Sequence, residues 1–206
     1  MRSVPAWGVL TSAAAPVLLI GGWTLAARLQ PGGFDSVKDT ISDLAADDAA
    51  HRSVMTYALV GLGAAHVGTA LALRPATPAA RWLLATGGVA TVLVAANPLP
   101  AGGGPAPEHA VAAGVAFVAL GAWPAISWRR RHAEPGQPPL PFRPAVALGA
   151  GGVLLAGLGW FFAELLRDGD RVGLSERVAA GSQALWPLAA VLLARREHRR
   201  RVRLRD

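Results

Sequence analysis

Six uncharged apolar blocks, separated by short polar or Pro/Gly-rich stretches, limit most what this chain can fold into. Residues 7–27 carry no charge over a length sufficient to cross a hydrocarbon core of about 30 Å. Residues 53–73, 110–128 and 144–163 are alike, broken only by His66, and residues 82–97 and 178–194 are shorter but also uncharged. Such runs are not the amphipathic alternation of a soluble domain. With 52% hydrophobic residues and a mean hydropathy of +0.37 in 206 residues, the expected fold class is all-α, an integral membrane bundle of six transmembrane helices. Their predicted spans are about 7–28, 53–73, 80–97, 109–128, 144–166 and 177–194, forming one membrane domain over 1–195 with a basic tail at 196–206. The first block outlasts the roughly 7–15-residue apolar core of a secretory signal, so it reads as a retained anchor.

Arginine placement predicts the orientation. With the N-terminus inside, Arg2, Arg74, Arg81, Arg129, Arg130, Arg131, Arg143 and the arginines of the tail all lie on the cytoplasmic side, as the positive-inside rule requires. Most carboxylates then face outward. The Ala/Gly/Pro/Arg-rich usage suggests a bacterial source, hence a bacterial cytoplasmic (inner) membrane with both termini inside. Beside a membrane helix, "RREHRRRVRLRD" reads as a topology signal drawn to anionic lipid and not as a nucleic-acid arm, so the expected partners are membrane lipids. The oligomeric state is left open. The absence of cysteine excludes disulfides, thiolate metal sites and thiol catalysis.

The stretch "FDSVKDTISDLAADDAAHR", residues 34–52, carries every carboxylate of the first hundred residues. Ser36 with Asp39 resembles a capping box, and Val37, Ile41 and Leu44 fall on one helical face. A short amphipathic outer helix is therefore expected after helix 1, capping the bundle. Small residues at four-residue spacing (Gly61/Ala65, Ala64/Gly68/Ala72, Gly152/Ala156) suit close helix approach. Trp7, Trp82, Trp128 and Trp186 sit near predicted helix ends, as interfacial aromatics do.

Polar groups at the outer helix ends are the candidate site, because a charge in or beside a bilayer is costly unless paired. Asp39, Ser42 and Asp43 come from the outer segment, Asn97 from the end of helix 3, and Glu108 and His109 from the start of helix 4. Glu164 lies near the end of helix 5. Ser175, Glu176 and Arg177 open helix 6, with Gln183 two turns deeper. The expected binding set is Asp39, Ser42, Asp43, Asn97, His109, Glu164, Glu176 and Arg177, with Glu164 partnered by His109 or Arg177. Glu108, Glu176 and Ser175 also suit the first turn of a helix on their own account. His66 lies deeper, toward the inner leaflet, and is expected to bond a neighbouring helix. It is poorly matched with His109 as a haem pair. The sequence requires no cofactor. A divalent metal is compatible by donor type with His109, Asp43, Glu108, Glu164 and His51, although no tight motif such as H-E-x-x-H is present.

Three pieces, "DTISDLA", "EHAVAAGVAF" and "GLSERVAAGSQALWPLAA", together resemble the domain-of-unknown-function 998 family (DUF998) of prokaryotic six-helix membrane proteins. The matching positions are Ser42, Asp43 and Leu44, then His109 and Phe117, then Glu176, Arg177, Leu185 and Trp186. Ala45 replaces the glycine usual after "SDL". The resemblance implies six helices and an outer motif cluster, and it implies no activity. Three readings remain open: an outward pocket for a lipid headgroup or small solute, an enzyme acting on a lipid-linked substrate, or a structural clasp in an accessory protein. In the enzyme reading His109 is base or metal ligand and Asp43 or Glu164 assists. Whether the chain is an enzyme stays undecided.

Overall fold

The computed structural model describes residues 3–128 and 138–203. Arg2, Arg129, Arg130, Arg131, most of the proline-rich stretch after Trp128, and the last residues of the tail lie outside the described residues. Six helices account for the fold: α1 (Trp7–Arg28), α2 (Ser53–Ala72), α3 (Pro78–Ala96), α4 (Pro107–Ala122), α5 (Pro144–Leu165) and α6 (Val172–Arg203). A 3₁₀ turn, Trp123–Ile126, continues α4. Each helix, α4 together with that turn, is long and apolar enough to cross a membrane, and there is no strand among the described residues.

Prolines set three helix starts: α3 and α4 begin two residues earlier than expected, and α5 begins at 144 as expected. Pro78, Pro107 and Pro144 occupy the first helical turn, where a missing N–H and a fixed φ do no harm. Thr77 caps α3 by accepting from the Ala80 N–H at 3.3 Å. Helix α6 outruns its expected span at both ends. Its 32 residues reach about 48 Å, so the basic tail continues the helix beyond the apolar zone as far as Arg203. No proline or glycine interrupts residues 188–203. Glu197 secures the extension, bonding the Arg143 guanidinium at 3.0 Å and accepting from the Leu140 N–H at 2.9 Å.

Consecutive helices pack side by side, and α6 closes the ring against α1. The interior holds mostly small residues while large apolar ones face outward: Leu10, Val17, Tyr57, Val111 and Val153 are all exposed. That inversion of a soluble core suits lipid as the outer solvent. Gly61 faces Leu18, and Gly68 faces Thr11, across the α1–α2 seam. At Gly63 and Gly88 the α2 and α3 backbones meet so closely that a Cβ on either would strike the other's carbonyl oxygen. Gly152, by contrast, faces open space, so its small-residue pattern serves no contact here.

The expected outer helix is present only as a 3₁₀ turn, Ser42–Ala45, preceded by turns. Its aspartates explain why. Asp35 Oδ1 accepts from the Val37 N–H at 2.9 Å, Asp39 Oδ2 from the Asp35 N–H at 2.8 Å, and Asp43 Oδ2 from the Thr40 N–H at 2.7 Å. Short polar side chains thus take the backbone donors that a helix would use. Asp35, not Ser36, makes the side-chain bond to the backbone, and no helix follows for it to cap. Ile41 and Leu44 are buried as their spacing predicts, while Val37 is exposed.

Candidate functional site

Segment 34–46 lies across one end of the bundle and is held there from two sides. From α4, His109 is buried, with Nδ1 2.8 Å from the Asn97 carbonyl oxygen and Nε2 3.1 Å from Ser42 Oγ. A carbonyl only accepts, so Nδ1 carries a proton. In the neutral ring Nε2 is then the acceptor for the serine hydroxyl. From α6, the buried Glu176 accepts from the Ile41 N–H at 2.5 Å. Next to it, Arg177 Nη1 donates to the carbonyls of Ser36 (3.0 Å), Asp39 (2.8 Å) and Gly173 (2.9 Å). Its guanidinium lies 5.4 Å from the Phe34 ring centre and 6.0 Å from that of Trp23, within cation–π range. Gly173 backs directly onto the Asp39 carbonyl, leaving no space for a Cβ.

Of the residues singled out in the sequence, Asp39, Ser42, Asn97, His109, Glu176 and Arg177 meet here. Asn97 contributes its carbonyl, since its side-chain amide turns back to Leu93 O at 2.8 Å. Asp43 is exposed and serves its own turn, exchanging bonds with Thr40. Glu164 is elsewhere. It accepts from Trp160 Nε1 at 3.1 Å and from the Arg171 N–H at 3.2 Å, closing the α5–α6 loop; neither His109 nor Arg177 is its partner. Ser175 bonds Val172 O at 2.9 Å. Among the described residues no three His, Asp or Glu side chains are grouped to hold a metal ion, and His109, Asp43 and Glu164 are not brought together as one ligand set.

Beneath the segment lies a cavity of about 60 Å³. Ile41, Ser42 and Glu176 line its upper part, and Thr91, Gln183 and His66 are also in its wall, with Leu19, Leu59, Leu62 and Phe117 among the apolar residues. Gln183 Nε2 donates to Phe117 O at 3.1 Å, but Gln183 Oε1 and both nitrogens of His66 are buried without a partner among the described residues. The bond expected between His66 and a neighbouring helix is therefore not made. A buried polar atom without a partner is costly, and native interiors hold few. The cavity is what the sequence did not disclose; Gln183, at Glu176 plus seven on the same face of α6, was the nearest signal.

A bundle of six membrane-length helices, with a polar loop fastened over one end, defines a multi-pass membrane protein of the helical-bundle class. More narrowly, the chain belongs to the family described as "Protein of unknown function (DUF998)", which it matches over residues 12–193. No curated protein and no solved structure matches it.

Proposed function

We propose that this protein binds a small solute in its internal cavity and that segment 34–46 is the lid over it. The observation that carries this reading is the set of unpartnered groups, Gln183 Oε1 and His66, on the wall of a cavity directly beneath Ser42 and Ile41. Ionisable groups within a membrane bundle mark solute pathways more often than they serve packing. The lid's fastenings are hydrogen bonds to side chains of α4 and α6 and to the Gly173 and Leu174 N–H groups in the first turn of α6. Those N–H donors have no partner within their own helix, so the fastenings can break without unfolding either helix. On the arginine distribution, the lid faces outward from a bacterial cytoplasmic membrane, with both termini inside.

The absence of cysteine allows a direct test. Ala180 lines the cavity, so Ala180→Cys is expected to react with a small water-soluble methanethiosulfonate, and several-fold faster when Ser42→Ala or His109→Ala loosens the lid. A Gly152→Cys control reports reaction on the lipid-facing surface of the bundle. Reaction no faster than that control, unchanged by either lid variant, overturns the proposal.

One geometry favours an enzymatic reading instead. Asn97 O, His109 and Ser42 stand in the order orienting carbonyl, base, hydroxyl, which is the arrangement that activates a serine for acyl transfer. Labelling of Ser42 by a fluorophosphonate, lost in His109→Ala, would establish it; absence of labelling leaves the pair as a latch. At the opposite end, Arg195, Arg196, Arg199, Arg200 and Arg203 line an open groove of about 430 Å³ with Val9 and Leu192. This supports anionic lipid as a partner of the basic tail.

A further inference from the structure

We propose that the ligand of the internal cavity is a small ammonium-type cation, ammonium itself or a short primary alkylammonium; this rests on the lid-and-cavity reading above. The chemistry of the free wall atoms selects it. Gln183 is held by its amide N–H on Phe117 O, which fixes Oε1 as the group turned to other partners, and an amide oxygen only accepts. A neutral imidazole offers one lone pair for an N–H donor, and its remaining N–H needs only a water. Glu176, lining the same cavity, adds carboxylate oxygen about two helical turns, or about 10 Å, away along α6. The three positions thus offer acceptors, one of them an acid, and Thr91 spends its hydroxyl proton on Gly87 O at 2.8 Å.

Other ligand classes fit less well. An anion needs free donors, and Arg177, the cation next to Glu176, is not in the cavity wall; its Nη1 is turned to the carbonyls of the lid. A volume of about 60 Å³ holds a few waters, at about 10–15 Å³ of such space each, which suits a small solute better than a sugar or a lipid headgroup. It suits ammonium with a water, or methylammonium with its methyl against Leu62 or Phe117. An imidazole nitrogen and a single amide oxygen are matched to N–H donors better than to an alkali cation, which is held by a shell of oxygens.

The test is thermal unfolding of the purified full chain in detergent, titrated with methylammonium chloride, potassium chloride or N-methylglucamine chloride at constant ionic strength. Methylammonium is expected to raise the melting temperature in a saturable manner while the other two do not. In Gln183→Leu the midpoint concentration should rise about tenfold or more, the effect of losing one hydrogen bond to a charged group. His66→Leu, which alters a different helix, should weaken it likewise. Equal stabilisation by potassium overturns recognition of N–H donors, and an unaltered response in both variants overturns the site. No response to methylammonium, with Ala180→Cys still reactive toward the aqueous reagent, overturns the ligand class and leaves the cavity reading standing. An unreactive Ala180→Cys brings down both.

Discussion

The two polar regions of this bundle, the fastening at its end and the cavity wall beneath it, differ in how far their side chains are paired. Above the cavity, His109, Glu176 and the Nη1 of Arg177 meet partners, largely backbone groups of residues 36–42 together with the Ser42 hydroxyl, while Nε and Nη2 of Arg177 are buried without a hydrogen-bond partner among the described residues. Below it, His66 has none and Gln183 only one. Paired groups at the bundle end hold a loop that has no helix of its own to stabilise it. Unpaired groups in the interior weaken the fold where they stand, and that is tolerated where something else is to be bound. The comparison therefore separates side chains that build from side chains that are available, and mutation should give the two regions opposite signs in stability.

The largest effect is expected at Arg177. Arg177→Ala removes the donor to three carbonyls and the stack against Phe34 and Trp23, a loss of about 2–3 kcal/mol for a charged hydrogen-bonding group, measurable by thermal unfolding in detergent. Arg177→Lys should recover only part of it, because an ammonium lacks the planar fork. Full stability in Arg177→Ala would break the claim that the lid is fastened from α6. Glu176→Ala follows closely, at about 2 kcal/mol, since it strands the Ile41 N–H beneath the lid.

His109→Ala comes next, at about 1–2 kcal/mol, and Ser42→Ala at about 1 kcal/mol. Because the two share one bond, the double variant should cost less than the sum of the singles. Additive losses would show that the serine and the histidine act separately, and would weaken the latch and the acyl-transfer readings together.

How far these regions were legible in the sequence follows the same division. The six spans are readable because an uncharged block of membrane length has few alternatives. The lid residues Ser42, His109, Glu176 and Arg177 could be gathered at one end because helix order alone brings them there. Three things were not readable. The segment 34–46 has the apolar spacing of a helix, but whether Asp35, Asp39 and Asp43 bond their own backbone depends on local turns that periodicity does not report. Glu164 found Trp160, one turn back on its own helix, a partner hidden by looking only across the bundle. The cavity depends on how α2 and α6 are rotated about their axes, which the near-uniform apolar faces of both helices leave unspecified.

The smallest and most discriminating effect is at Gln183. Replacing a paired group by a hydrocarbon of similar size costs stability, whereas replacing one whose oxygen is buried and unpartnered removes a desolvation penalty. Gln183→Leu breaks the bond to Phe117 O and frees the chain of the Oε1 penalty, so the net change should lie within about 1 kcal/mol of zero and on the stabilising side, read by thermal unfolding without added solute. His66→Leu should behave the same way, with no bond to lose. A clear loss of stability in both would mean that ordered water already satisfies these groups as structure, and that the cavity is a hydrated part of the core. A gain, accompanied by loss of the methylammonium response, would identify these two side chains as retained for a ligand at the expense of the fold.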